Sequence, residues 1–240
     1  MEHLVRELSE LVTASRHTVV LTGAGMDTES SIPDFRGKNG LWRNQDPRVL
    51  ASIDTFDTNY PLFQAFYAHR YKLLETCQPH RGHYILAEME AKGLVKAVAT
   101  QNVSRLHLVA GSQRVFELHG NIRTFRCHYC NRPAGAEDFL AKKPCRHCGK
   151  QGLRPNVVLF GESLPMDAWE QAVAEIRQSD LLLVIGTSLA VAPVNQLPRL
   201  ARGKTVYLND DITVQGYDFD LTIEGKAGEV LETLWGSLHG

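Results

Sequence analysis

No apolar run in this chain approaches the ~20 residues that a helix needs to cross a bilayer. The longest, Leu181-Leu182-Leu183-Val184-Ile185, stops at Gly186. The N-terminus also lacks a basic region followed by a long apolar stretch, the mark of a signal peptide. Met1-Glu2-His3-Leu4 instead opens an amphipathic pattern, with Leu4, Leu8, Leu11 and Val12 at helical spacing. A surplus of either charge is missing too: 26 Lys and Arg stand against 27 Asp and Glu, for a net charge of −1. With no long run of like charge, neither a nucleic acid nor a membrane is indicated as a partner. Internal repeats and low-complexity linkers are absent. Cysteine is scarce, with five in 240 residues, and four of these fall in two close pairs. A soluble cytoplasmic protein is the expectation, and in that reducing setting paired cysteines favour metal over disulfides.

What remains is a chain with 43% apolar residues, enough for one large core with small insertions. Short β-branched runs read as strands at 18–21, 96–100, 115–118, 156–160, 181–185, 205–208 and 219–223, with helical patterns at 82–92 and 167–178. This alternation predicts an α/β domain with a Rossmann-like parallel sheet covered on both faces. Small or hydrogen-bonding residues follow the strands: Gly23-Ala24-Gly25, Gln101-Asn102, His119-Gly120-Asn121, Gly161-Glu162, Gly186-Thr187-Ser188 and Asn209-Asp210. In open α/β sheets that edge binds ligands, although Gly, Asn and Asp also punctuate ordinary turns. Two segments break the alternation and read as insertions: an aromatic, helical or loop-like stretch at about 32–81, and a cysteine-bearing one at about 123–153. The sheet domain then comprises about 1–31, 82–122 and 154–240.

Cys127-His128-Tyr129-Cys130 and Cys145-Arg146-His147-Cys148 are two C-x-x-C knuckles. Four thiolates close a tetrahedral zinc shell and leave no position open for catalysis, so one structural zinc is expected on Cys127, Cys130, Cys145 and Cys148. The paired symmetry disfavours a thioredoxin-like redox pair. An iron–sulfur cluster would use more closely spaced cysteines. Val19 to Gly25 is a strand entering a Gly-x-Gly turn suited to a pyrophosphate. A third glycine is missing, however, with Thr28 in its place, and no second strand with an acidic end follows. Taken alone, the motif is equally a tight strand-to-helix turn.

The longer segments are more specific. Gly23-Ala24-Gly25-Met26-Asp27-Thr28-Glu29-Ser30-Ser31-Ile32-Pro33-Asp34-Phe35-Arg36-Gly37 resembles the first motif of the sirtuin family, and Thr100-Gln101-Asn102-Val103-Ser104-Arg105-Leu106-His107 the second. Glu117 to Asn121 resembles its catalytic-histidine motif, Asn156 to Glu162 its substrate-binding segment, and Gly186 to Leu189 its later NAD motif. The resemblance implies a Rossmann-like domain with a smaller lobe made of the zinc module and a helical module. It implies an NAD-dependent protein-lysine deacylase acting on acyl-lysine proteins or peptides. The acyl oxygen attacks the nicotinamide ribose, nicotinamide leaves, and a histidine base activates a ribose hydroxyl, giving O-acyl-ADP-ribose.

On this resemblance His119 is the base and Asn102 its companion in catalysis. NAD contacts fall on Gly23, Ala24, Gly25, Thr28, Phe35, Arg36, Gln101, Val103 and Ser104, and later on Gly186, Thr187, Ser188, Asn209, Asp210 and Ala227. Substrate contacts fall on Val158, Phe160, Gly161 and Glu162. Two departures stand out: the family usually has an acid where Ser104 stands and a glycine where Ser31 stands. A Tyr-x-x-Arg step, Tyr67 and Arg70, resembles the sirtuin subgroup that removes succinyl or malonyl groups, although that subgroup tends to have alanine where Thr28 stands. Phe63, Phe66, Tyr67 and Tyr71 would equally form a packed aromatic stripe. An NAD-binding sensor or an ADP-ribosyltransferase on the same scaffold is the alternative.

Overall fold

A computed structural model describes residues 2–32 and 47–239, so the expected contacts of Phe35 and Arg36 lie outside the described residues. In chain order the elements are α1 (Glu2–Ala14), β1 (Thr18–Thr22), a 3-10 helix (Ala24–Ser30), α2 (Pro47–Leu50), α3 (Ile53–Thr58), α4 (Tyr60–Glu75) and α5 (Arg81–Ala91). Then follow β2 (Ala97–Thr100), α6 (Leu106–Val109), β3 (Val115–Glu117), β4 (Gly120–Cys127), β5 (Pro133–Ala134), α7 (Ala136–Leu140) and β6 (Leu153–Val157). The chain ends with α8 (Met166–Gln178), β7 (Leu181–Ile185), a second 3-10 helix (Val194–Leu200), β8 (Lys204–Asn209), β9 (Leu221–Glu224) and α9 (Ala227–Ser237). No helix among the described residues is long and apolar enough to cross a membrane.

Six strands form one sheet in the order β3-β2-β1-β7-β8-β9, and every neighbouring pair is parallel. A parallel strand buries both faces, and its side chains alternate between them. In β7, Leu181, Leu183 and Ile185 point into the core shared with α1, α5 and α9, while Leu182 and Val184 point into the core under α8. In β1, Val20 joins the first core, and Val19 and Leu21 join the second. Helix α1 packs Val5, Leu8 and Val12 inward, with Leu4 and Leu11 partly buried against the same core.

The expected sheet strand at 156–160 is corrected. Residues 153–157 form β6, which pairs antiparallel with β4 in a separate three-stranded sheet ordered β5-β4-β6. The turn at Gly161 therefore lies outside the edge of the parallel sheet. The small sheet packs with α3, α4 and α7 around a third core containing Phe56, Phe63, Tyr67, Phe125 and Phe139. Its neighbour segment crosses to the helical insertion: the Phe160 N–H donates to the Ala51 carbonyl (2.8 Å), and the Ile53 N–H donates to the Phe160 carbonyl (3.0 Å).

Candidate active site

The order in which strands are added reverses at β1, with β2 and β3 on one side and β7, β8 and β9 on the other, so a crevice forms beyond the carboxyl ends of β1 and β7. Parallel register pairs Thr22 with Ile185, and this brings the turns at Gly23 and Gly186 together. Gly186 has φ +62°, and a Cβ on it would lie 2.3 Å from the Met26 nitrogen. A Cβ on Gly25 would lie 2.7 Å from the Gly186 Cα. The N–H groups of Gly23 and Gly25 donate to the carbonyls of Ile185 and Gly186. These two glycines are thus required by the packing of one turn on the other. Their own N–H groups are already engaged, so they shape the cradle and do not themselves present donors to it.

The crevice opens into a cleft of about 1620 Å³, beyond the ~300–1,000 Å³ of a single small-molecule pocket. The structure gathers most of the expected residues on its walls. Ala24, Gly25 and Thr28 line it from the first turn; Gln101, Asn102 and Val103 from the loop after β2; His119 from the loop after β3. Gly186, Thr187, Ser188, Asn209, Asp210 and Ala227 line the opposite side. Val158, Phe160, Gly161 and Glu162 line the end toward the small lobe, with Tyr67 and Arg70. Gly23 and Ser104 do not line it. Sequence reasoning missed Trp169, Tyr207 and Lys226, which do. Tyr207 lies within a buried strand, and its hydroxyl donates to the Thr187 carbonyl (2.9 Å). Nothing in the apolar run around it marks it off from the core.

His119 is fixed from two sides. Its carbonyl accepts from the Val158 N–H (2.9 Å), and its Nδ1 lies 3.1 Å from the Gln101 carbonyl. A carbonyl only accepts, so Nδ1 carries the proton and Nε2 keeps its lone pair. Burial pushes the imidazole below its usual value, partly offset by the bond to Gln101, so the neutral form prevails at neutral pH. Asn102 is 4% exposed; its amide donates to the Gly23 carbonyl (2.9 Å), while its buried Oδ1 has no hydrogen-bond partner among the described residues. An unpaired buried acceptor costs roughly 1–3 kcal/mol, which a donor arriving in the cleft would offset. Gln101 donates from Nε2 to the Thr187 hydroxyl (2.8 Å), tying the two walls together.

Glu162 lines the cleft, but its carboxylate is engaged: both oxygens accept from the Arg154 guanidinium (2.6 and 2.8 Å), and one also accepts from the Leu159 N–H (2.8 Å). Burial opposes its charge, yet these bonds hold the carboxyl below its usual range. Glu162 thus braces the 157–162 segment. Tyr67 and Arg70 are 1% and 6% exposed, with the guanidinium 5.7 Å from the Tyr67 ring centre. Burial pushes the Tyr67 phenol up to about 12 and works against the charge of Arg70, which Tyr67 supports.

In the small lobe the four cysteine Sγ atoms all lie within 4.8 Å of one another, with 3.6 Å between Cys127 and Cys148 and between Cys130 and Cys145. A tetrahedron with Zn–S bonds of ~2.3 Å has sulfurs ~3.8 Å apart. The sulfurs are therefore placed as a structural zinc requires and are too far apart for disulfides.

The model of the Sir2 family matches residues 23–193, which carry the Gly-x-Gly turn, Asn102, His119 and the four cysteines. The chain belongs to the Sir2 family. The NAD-dependent protein deacetylase 1 of Geobacillus kaustophilus is 45% identical over 232 residues, covering 95% of this chain and 96% of that one. The NAD-dependent protein deacylase 2 of Archaeoglobus fulgidus is 41% identical over 240 residues, covering 96% and 94%. Among solved structures, one from work on the mechanism and regulation of Sir2 enzymes superposes with a TM-score of 0.92 at 40% identity, covering 100% of this chain and 99% of that one. A Sir2 protein with deacetylated p53 peptide and an O-acetyl-ADP-ribose superposes with a TM-score of 0.91 at 36% identity, covering 97% of each chain.

Proposed function

We propose that this chain is an NAD-dependent protein-lysine deacylase that releases nicotinamide and O-acyl-ADP-ribose. The observation that carries this reading is the neutral, Nε2-basic His119 on the same cleft as the buried Oδ1 of Asn102, which has no partner among the described residues. NAD, when bound, supplies the electrophilic ribose carbon that accepts the acyl oxygen. The turns at Ala24 and Gly186 and the polar ends of β7 and β8 would hold the dinucleotide. Asn102 would take a hydroxyl or water donor on Oδ1, and His119 would accept a ribose hydroxyl proton on Nε2. Val158 and Phe160 would flank the aliphatic stem of the acyl-lysine, with the peptide laid beside them as an extended strand. Incubation with NAD and acetyl- or succinyl-lysine peptide, followed by mass spectrometry, tests the reading. Appearance of O-acyl-ADP-ribose is expected. ADP-ribosylated protein without that product would favour a transferase, and NAD binding with neither would favour a sensor.

The pH dependence follows from the state of His119. Its folded pKa is depressed, chiefly by burial, so the base form predominates at neutral pH and is lost as pH falls through that lowered value. The acidic limb of kcat/KM is expected below about 6.5, the unperturbed histidine value. A limb at 7 or above would remove His119 as its source.

Tyr67 and Arg70 support a finer reading: the cleft also accepts acyl groups ending in a carboxylate. Such a carboxylate must leave water, and a buried guanidinium with a phenol beside it offsets that cost through charge-assisted hydrogen bonds. Acetyl carries no such charge. Arg70→Met is therefore expected to lower desuccinylation kcat/KM by roughly 10–100-fold, mainly through KM, and deacetylation by no more than roughly threefold. Equal losses on both substrates would return the pair to the aromatic packing of α4.

A further inference from the structure

Behind the cleft wall lies a buried polar cluster that the reading above does not use. Asp27 is 4% exposed and Ser104 is 3% exposed, and neither lines the cleft. The Ser104 hydroxyl donates to Asp27 Oδ2 (2.8 Å), and Asp27 Oδ1 lies 3.1 Å from Nε2 of the fully buried His83. The carboxylate thus joins three segments: the 3-10 helix after β1, the loop after β2, and α5. The flanking residues Thr28, Asn102 and Val103 are the ones that reach the cleft. The far side of the loop is also held, because the Arg123 guanidinium donates to the Ser104 carbonyl (2.8 Å). A buried carboxylate is costly unless donors surround it, and Asp27 receives donors from both neighbouring segments. This arrangement is built around the charge.

Position 104 carries a hydroxyl where the sirtuin motif usually has an acid, and the atom that the Ser104 hydroxyl meets is a carboxylate oxygen. We propose that Asp27 is the positioning acid of this cleft, entering from the opposite side of the 2.8 Å contact, so that residues 27 and 104 form one exchangeable acid–hydroxyl pair. Through Ser104 the carboxylate sets the Gln101–Ser104 loop, and with it Asn102. The site then lacks no acid; the acid has moved. This rests on the deacylase reading, because the loop matters only if Asn102 and its neighbours hold the reacting dinucleotide.

The pair makes a prediction that a missing acid would not. Ser104→Asp would place a second carboxylate against the first in a buried site, where like charges cannot both ionise without penalty. It is expected to slow NAD-dependent nicotinamide exchange and deacylation, where simple restoration of an acid would speed them. Asp27→Ser removes the only carboxylate of the pair and is expected to slow both as well. Each single variant should lose on the order of tenfold in kcat, with KM for the acyl peptide changed by less than roughly threefold. The double variant, Asp27→Ser with Ser104→Asp, should recover most of the loss, as coupling between contacting residues allows.

Thermal unfolding of all four proteins accompanies the kinetics. Where Asp27→Ser does not fold, Asp27→Asn keeps the shape and removes the charge; it should unfold as a native-like protein and still show the loss in exchange. A double variant no better than the worse single, a Ser104→Asp protein at least as active as the wild type, or an Asp27→Asn protein with wild-type exchange would each overturn the proposal. Wild-type protein that releases no nicotinamide from NAD with acyl-lysine peptide would refute the deacylase reading and the pair together. Working wild type with a failed rescue would refute the pair alone.

Discussion

His119→Ala is expected to lower deacylation kcat by roughly 100–10,000-fold, the range for loss of a positioned general base, while NAD affinity changes little. The asymmetry follows from what the ring does and does not hold. Its Nδ1 proton goes to the Gln101 carbonyl, and its backbone carbonyl accepts from the Val158 N–H. Alanine keeps the second bond and loses only the first, so the strand-to-strand connection survives. The residue that follows, Gly120, has φ +66°, and a Cβ on it would lie 2.0 Å from the Asn156 carbonyl oxygen; that strained position is untouched by the change. The contacts expected to hold NAD lie mostly on other turns, at Ala24, Thr187 and Asn209. Calorimetry with NAD and single-turnover kinetics with acyl peptide separate the two effects. Turnover within about tenfold of wild type would take His119 out of the role of base.

The parallel sheet was legible because its strands are buried on both faces. β1 and β7 are apolar throughout their middles and end at glycine, a pattern no surface element produces. β4 was not legible. Its core residues Ile122 and Phe125 are three apart, because the register shifts between Gly120 and Phe125, and this breaks the period of two that marks a strand. β6 was displaced for a different reason. Pro155 argues against a central strand, but β6 pairs only with β4 and is an edge strand, where proline is tolerated.

The cleft was legible wherever it uses strand ends. Sequence positions after β1, β2, β3, β7 and β8 converge because parallel register forces their ends to one edge. Asp27, His83 and Ser104 meet only through the packing of three separated segments, which no local pattern encodes. The glycines show the limit of motif reading from another direction. Gly23 and Gly25 are needed, but for the contact with Gly186, which lies 161 residues beyond Gly25 (186 − 25).

Cys127→Ala is expected to release the zinc, from one ion per chain to near none by elemental analysis. Three remaining thiolates cannot close a tetrahedral shell, and a structural zinc in a small module contributes its binding energy to folding, ~10–16 kcal/mol in isolated zinc-finger peptides. Cys127 ends β4 and is fully buried, and its N–H bond to the Arg132 carbonyl (2.9 Å) survives the change, so what is lost is the thiolate and the metal that ties the end of β4 to the Cys145–Cys148 knuckle. From there the disturbance has a physical route to the cleft. Phe56 packs on His128 (4.5 Å between ring centres) and on Phe63 (5.1 Å), and Phe63 packs on Tyr67 (4.7 Å). The Tyr60 hydroxyl donates to the Leu153 carbonyl (2.7 Å), holding α4 to β6. Activity is therefore expected to fall indirectly, with a larger loss for acyl peptide, which lies toward the small lobe, than for NAD binding to the sheet edge. A loss of several kcal/mol at ~2–4 °C per kcal/mol for a chain of this size lowers Tm by about 10 °C or more. Chelator should produce the same drop in the wild type, reversed by added zinc, and no further drop in the variant. Wild-type protein purified without chelator that contains no zinc, or a variant that melts with the wild type, would show that the four cysteines do not hold the lobe together through a metal.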